Sequence, residues 1–279
     1  MPDPGAGAPV PGALLLVGCG KMGTALVHGW IAARQPPTDI AIVEPAPRPA
    51  IFADVDLGAW VDDASWLPVE FRPDVVVFAV KPQAMAAVLP AYRRFVTPET
   101  VFLSIAAGRT IASFEAVLGA EAAVVRSMPN TPAAIGCGIT VAVANARVTV
   151  AQRAMCDALL RAVGDVAWID DEALLDAVTA LSGSGPAYVF LLVEALADAG
   201  IAAGLPGDLA LRLARATVEG SGELLRRSIE PPSILRHAVT SPGGTTAAAL
   251  EVLMAADGLP ALMTRAVAAA TRRSRELAG

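Results

Sequence analysis

Short apolar runs closed by glycine, proline or a charged residue recur through the first 170 positions, and helix-like periodicity fills the gaps between most of them. The runs are Ala13–Gly18 (ALLLVG), Asp39–Glu44 (DIAIVE), Asp74–Val80 (DVVVFAV), Thr100–Ala106 (TVFLSIA) and Ala123–Met128 (AVVRSM). Amphipathic spacing over Met22–Arg34, Gln83–Phe95 and Thr110–Leu118 predicts helices among them. Strands apolar along their whole length, rather than at alternate positions, belong to a parallel sheet covered on both faces. Two more runs, Gly138–Ala144 and Val166–Ile169, flank a helical stretch over Ala151–Val163 and are expected to finish that sheet.

From Glu172 onward only helical patterns remain, broken at Ser182–Pro186, Gly204–Pro206, Pro231–Pro232, Ser241–Gly244 and Gly258–Pro260. Each break sets Gly or Pro where a helix stops or starts. The expected organisation is a flexible lead-in over 1–12, an α/β part over 13–170 and an all-helical part over 171–279. The lead-in, rich in Pro, Gly and Ala without a basic stretch, reads as no signal peptide.

Composition sharpens this picture. With 54% hydrophobic and 17% charged residues a large core is expected, and so much apolar surface points to burial against another subunit. The net charge of −6 and the lack of any dense basic cluster except Arg272, Arg273 and Arg275 speak against nucleic acid. Cys19, Cys137 and Cys156 stand apart, as expected in a reducing, cytoplasmic compartment. His28 and His237 complete no zinc-ligand spacing, so no metal is expected, and both read as structural. Glu194 and Asp198 inside the apolar stretch Pro186–Leu205 argue against a membrane span.

Gly18-Cys-Gly-Lys-Met-Gly23 closes the first predicted strand and opens the first helix. In that context the three glycines serve a tight turn, close approach of a pyrophosphate, and close helix–strand packing. The helix N-terminus adds free N–H groups and the positive end of its dipole. Val17, Gly18, Cys19, Gly20, Lys21, Met22 and Gly23 are therefore candidate cofactor contacts. Glu44 ends the second strand 21 positions past Gly23, where a carboxylate accepts from the ribose 2′-OH and repels a 2′-phosphate, favouring NADH over NADPH. Arg48, four positions on, is the counterweight, a cation able to neutralise that phosphate.

Five later segments are unusually specific for connectors: Ala79-Val-Lys-Pro82, Ser104-Ile-Ala-Ala-Gly108, Met128-Pro-Asn-Thr-Pro132, Ser182-Gly-Ser-Gly-Pro-Ala-Tyr188 and Ser241-Pro-Gly-Gly-Thr-Thr246. In this order behind the glycine loop, they resemble the pyrroline-5-carboxylate reductase family over nearly the whole chain. The resemblance implies a Rossmann-type N-terminal domain and an all-α C-terminal domain that interlocks with a partner subunit, as a dimer or a multiple of dimers. It implies reduction of 1-pyrroline-5-carboxylate to L-proline by NADH or NADPH. It further implies that Ala79, Val80, Lys81, Pro82, Ala106 and Ala107 border the nicotinamide. Asn130 either orients its amide or caps a turn, and Lys81 is either an acid or a solvated positioning residue. Gly243, Gly244, Thr245 and Thr246 would hold the substrate carboxylate, with the Thr246 hydroxyl near the ring nitrogen as the catalytic group. Glu172 matches an acidic position used near the substrate, or is a carboxylate in the first turn of a helix.

Other readings make this a related imine reductase, a β-hydroxyacid dehydrogenase, or a non-catalytic NAD(P)-binding sensor. The second needs a lysine base in its helical domain, and no lysine follows Lys81.

Overall fold

The computed structural model describes residues 12–278, so the lead-in expected over 1–12 lies, but for Gly12, outside them. Eight strands form one sheet: β1 Leu14–Val17, β2 Ile40–Val43, β3 Ala59–Val61, β4 Val75–Phe78, β5 Val101–Ser104, β6 Ala123–Met128, β7 Gly138–Ala144 and β8 Gly164–Trp168, in the order β3-β2-β1-β4-β5-β6-β7-β8. Strands β1 to β6 run parallel; β7 is antiparallel to β6, and β8 parallel to β7. The short β3 departs from expectation, because AWV after Gly58 is too brief to carry a periodic signal.

The helices are α1 Lys21–Ala32, α2 Met85–Val88, α3 Ile111–Leu118, α4 Val150–Arg161, α5 Leu175–Val178, α6 Gly185–Ala202, α7 Gly207–Arg227, α8 Pro232–Ala238, α9 Thr245–Leu253 and α10 Leu259–Ala278. The single helix expected over 83–95 is instead a 3-10 turn, the four residues of α2 and a second 3-10 stretch over Leu89–Phe95. Pro90 is the physical reason, since it removes a donor and clashes with the preceding turn.

Alternation sorts the strand residues onto the two faces. Leu14, Leu16, Ile40, Ile42, Val75 and Val77 pack with Leu26, Val27 and Trp30 of α1 and Leu159 and Leu160 of α4. Leu15, Val17, Val43, Val76 and Phe78 pack with Tyr92, Phe95 and Phe114 on the other side. The buried Trp30 indole donates to the Leu159 carbonyl at 3.0 Å, so burial leaves no orphan N–H there.

Two compact units emerge: one running to Gly183 and taking in the stretch from Thr271, the other spanning Ser184–Ala270. The expected division after 170 falls earlier, because residues 171–183 pack on the sheet. Leu175 joins Val141 and Val143, and Ala180 is fully buried. The C-terminal stretch joins them through Ser274, whose hydroxyl donates to Asp176 at 2.6 Å.

Within the second unit only Ala197, Ala210 and Ala214 are buried, where α6 and α7 pack together. Phe190, Leu191, Leu192, Leu209, Leu211 and Leu213 are all exposed. By length and composition alone the helical run Glu172–Ala202 is apolar enough to cross a membrane. Exposed apolar residues of this extent equally suit a face that meets another protein.

Candidate active site

Strand order reverses between β1 and β4, and the glycine loop lies at the carboxyl end of β1, where open α/β sheets bind ligands. Each glycine there has its own reason. Gly18 takes φ +89°, and a Cβ on it would meet Val80 Cγ1 at 2.8 Å and the Ala79 backbone at 3.0 Å. A Cβ on Gly23 would lie 2.4 Å from the Gly18 carbonyl oxygen. At Gly20, the N-cap of α1, no described protein atom beyond its chain neighbours lies within 4 Å of that position. Packing therefore explains the first and third glycines, while the second faces open space through which a phosphate can reach the backbone. These residues fit a dinucleotide: Gly20 caps α1 without a side chain, leaving the first-turn N–H groups of Lys21 and Met22 for an anion.

Glu44 is tied directly to this loop. Its Oε2 accepts from the Cys19 N–H at 2.7 Å, and its Oε1 accepts from the Ala46 N–H at 2.9 Å. Burial and the neighbouring Glu44 carboxylate push the Cys19 thiol pKa up, against a hydrogen bond with Thr24 that lowers it. Arg48 is otherwise engaged: its guanidinium donates to the Val55 carbonyl and sits 5.9 Å from the Trp60 ring centre.

Two further loops leave adjacent strand ends. The Ala79 N–H donates to the Val17 carbonyl at 2.8 Å, and the Ile105 N–H to that of Phe78 at 3.1 Å. Lys81 is exposed, Ala107 half-buried and Ala106 buried. Asn130 caps a 3-10 turn and its Oδ1 accepts from the Ile139 N–H at 2.9 Å, so its carbonyl end holds the Met128–Gly138 turn. Glu172 also has structural partners: Oε1 accepts from the first N–H of α3, that of Ile111, at 2.9 Å and from Arg126 Nη1 at 2.7 Å. Sequence reading missed Arg126, buried on β6, and Arg109, whose Nε and Nη2 both donate to the Pro82 carbonyl.

On the helical unit, the Ser241–Thr246 segment forms a turn. Gly243 is left-handed at φ +67°, and the Gly244 N–H donates to the Ser241 carbonyl at 3.1 Å. Gly244 is the N-cap of α9, and no side chain caps the helix. Among the described residues none accepts from the N–H groups of Thr245, Thr246 or Ala247, which open the helix as an anion receptor. Thr246 is half-buried, whereas Thr245 is exposed. His237 is exposed in α8, and His28 is exposed on α1. Among the described residues no three His, Cys, Asp or Glu side chains gather as metal ligands.

A glycine cradle at the switch point of a parallel sheet, followed by a helical unit with almost no interior, defines the class: a Rossmann-type, dinucleotide-dependent oxidoreductase with a helical assembly domain. Residues 13–108 match the model described as NADP oxidoreductase, coenzyme F420-dependent, and residues 172–277 match that of pyrroline-5-carboxylate reductase dimerisation. A pyrroline-5-carboxylate reductase of Pseudomonas aeruginosa is 43% identical over 267 residues, covering 95% of this chain and 96% of that one. Among solved structures, the Coxiella burnetii enzyme superimposes with a TM-score of 0.88 at 33% identity, covering 96% of this chain and 99% of the other. The Plasmodium falciparum enzyme, solved with NADP bound, gives 0.82 at 30% identity, covering 98% and 100%. The chain belongs to the pyrroline-5-carboxylate reductase family. It is an NAD(P)-dependent oxidoreductase acting on a CH–NH bond, and its helical part is a self-association domain.

Proposed function

We propose that this protein reduces 1-pyrroline-5-carboxylate to L-proline, working as a dimer or a multiple of dimers in the cytoplasm. The observation that carries the reading is the pairing of two anion receptors on one chain, the open Gly20 cradle and the uncapped start of α9. Bound NAD(P)H supplies the hydride. The backbone N–H groups of Lys21 and Met22 hold the pyrophosphate, and the Ala79–Pro82 and Ala106–Ala107 loops border the nicotinamide. The open N–H groups of Thr245, Thr246 and Ala247 hold the substrate carboxylate at the positive end of α9, and Gly243 and Gly244, without side chains, let it approach. The Thr246 hydroxyl orients the ring at its nitrogen. A cyclic imine is basic enough to take a proton from solvent near neutral pH, so a strong general acid is not required. Positioning is the main contribution, and it is worth up to about 7–11 kcal/mol of barrier in well-oriented reactions.

Glu44 supports a preference for NADH. Fixed by two backbone N–H groups, its carboxylate stands where a 2′-phosphate would approach, and Arg48, bonded to Val55, does not offset it. The test is steady-state oxidation of NADH and of NADPH by the purified protein with pyrroline-5-carboxylate, repeated with Thr246→Val. Turnover faster with NADH, and a loss of kcat/KM for the imino acid of at least about tenfold in the variant, are expected. Full activity in Thr246→Val would remove the hydroxyl from the mechanism.

A further inference from the structure

We infer that Arg109 is a positioning residue for hydride transfer, closing the two nicotinamide-bordering loops into one frame. The sheet end supplies the first side of that frame: β4 and β5 are paired up to Phe78 and Ser104, and the Ile105 N–H then donates to the Phe78 carbonyl. Beyond this rung the strands diverge. Ala79, Val80 and Lys81 leave on one side, and Ala106, Ala107 and Gly108 on the other. The guanidinium of Arg109 rejoins them, donating to the Pro82 carbonyl from Nε at 3.0 Å and from Nη2 at 2.8 Å. Each three-residue segment is thus tied at both ends to the other.

The carbonyl chosen matters. Pro82 also accepts from the Met85 N–H, so the guanidinium docks on the same atom that starts the turn before α2. On its far side Arg109 is anchored as well, because Thr110 caps α3 and the Ile111 N–H is held by Glu172. Gly108, buried at φ +69°, turns the chain so that Arg109 can reach back. A planar, two-pronged cation fixes both distance and orientation, which a single lysine ammonium does not. The inference rests on the reading that Ala79–Pro82 and Ala106–Ala107 border the nicotinamide.

Arg109→Ala, Arg109→Lys and Ala107→Val separate the inference from that reading when kcat, KM for NADH, the primary isotope effect with deuterated NADH and the thermal midpoint are measured for each. The expected result is that Arg109→Ala lowers kcat/KM for NADH between roughly tenfold and a hundredfold and enlarges the isotope effect. Arg109→Lys should recover part of the loss. Ala107→Val, which puts bulk in the frame, should raise KM for NADH. Loss of thermal stability in Arg109→Ala with KM and isotope effect unchanged would overturn the inference, leaving Arg109 a purely structural residue. If Ala107→Val disturbs NADH kinetics while Arg109→Ala does not, the loops border the cofactor but need no clamp, and the inference falls alone. If Ala107→Val leaves NADH kinetics untouched, the reading of the loops fails, and the inference falls with it.

Discussion

Removing the Glu172 carboxylate should weaken the fold and leave substrate affinity intact. Its Oε1 lies 2.7 Å from Arg126 Nη1 and 2.9 Å from the Ile111 N–H, and the Arg126 and Glu172 side chains are 6% and 28% exposed. Glu172→Ala therefore strands a buried guanidinium and uncaps the first N–H of α3. Breaking a buried pair by deleting one partner costs about 3–5 kcal/mol. The partial exposure of Glu172 admits water to Arg126 in the variant, so the lower end, about 3 kcal/mol, is expected. Glu172→Gln retains an acceptor for both donors and should lose about 1–2 kcal/mol. At about 2–4 °C per kcal/mol for a chain of this size, the alanine variant should melt some 6–12 °C lower. The comparison must hold protomer concentration fixed, since assembly contributes to the midpoint. Thermal melts by circular dichroism, alongside KM for the imino acid, decide the matter. A melting temperature within about 2 °C of the parent, joined to a KM for the imino acid raised tenfold or more, would refute the structural assignment and give Glu172 to the substrate.

Three other outcomes are expected. Gly23→Ala places a methyl 2.4 Å from the Gly18 carbonyl, so backbone must move; destabilisation of about 1–3 kcal/mol and weaker NADH binding by fluorescence titration should follow, and unchanged affinity would mean the cradle is not used. Glu44→Ser should shift the NADH/NADPH ratio of kcat/KM toward NADPH by at least about tenfold, and a ratio unmoved would make the carboxylate irrelevant to cofactor choice. Burial raises the thiol pKa of Cys156 above its ordinary 9.0, so the unfolded chain ionises first and stability, complete below that value, declines as pH rises. Urea melts should show a fall of up to about 1.4 kcal/mol per pH unit that Cys156→Ala reduces. Tyr92, also raised by burial, adds its slope only above 10.0. An equal slope in Cys156→Ala would contradict the assignment.

The parallel core was readable from the chain because its strands are continuous apolar runs between helices, as Asp74–Val80 and Thr100–Ala106 illustrate. Strand β3 was not, since three residues carry no period. The helix expected over 83–95 failed at Pro90, where local breaking outweighs an amphipathic pattern. Glycine spacing marked the cradle, because both packing and phosphate approach demand glycine at fixed intervals. Arg109 and Arg126 left no such mark. Their partners Pro82 and Glu172 lie 27 and 46 positions away, and only the folded sheet brings them together. Glu44 stood out by its position 21 residues past Gly23, but its grip on the Cys19 N–H needed the structure.

Three buried alanines are all the interior that Ser184–Ala270 possesses on its own. Self-association must then supply much of the burial this unit lacks, so its stability depends on protein concentration. Each tenfold dilution withdraws about 1.4 kcal/mol from a two-body association. Co-expression of a chain altered only on the exposed face of α6 should accordingly depress the yield of the parent chain as well as its own.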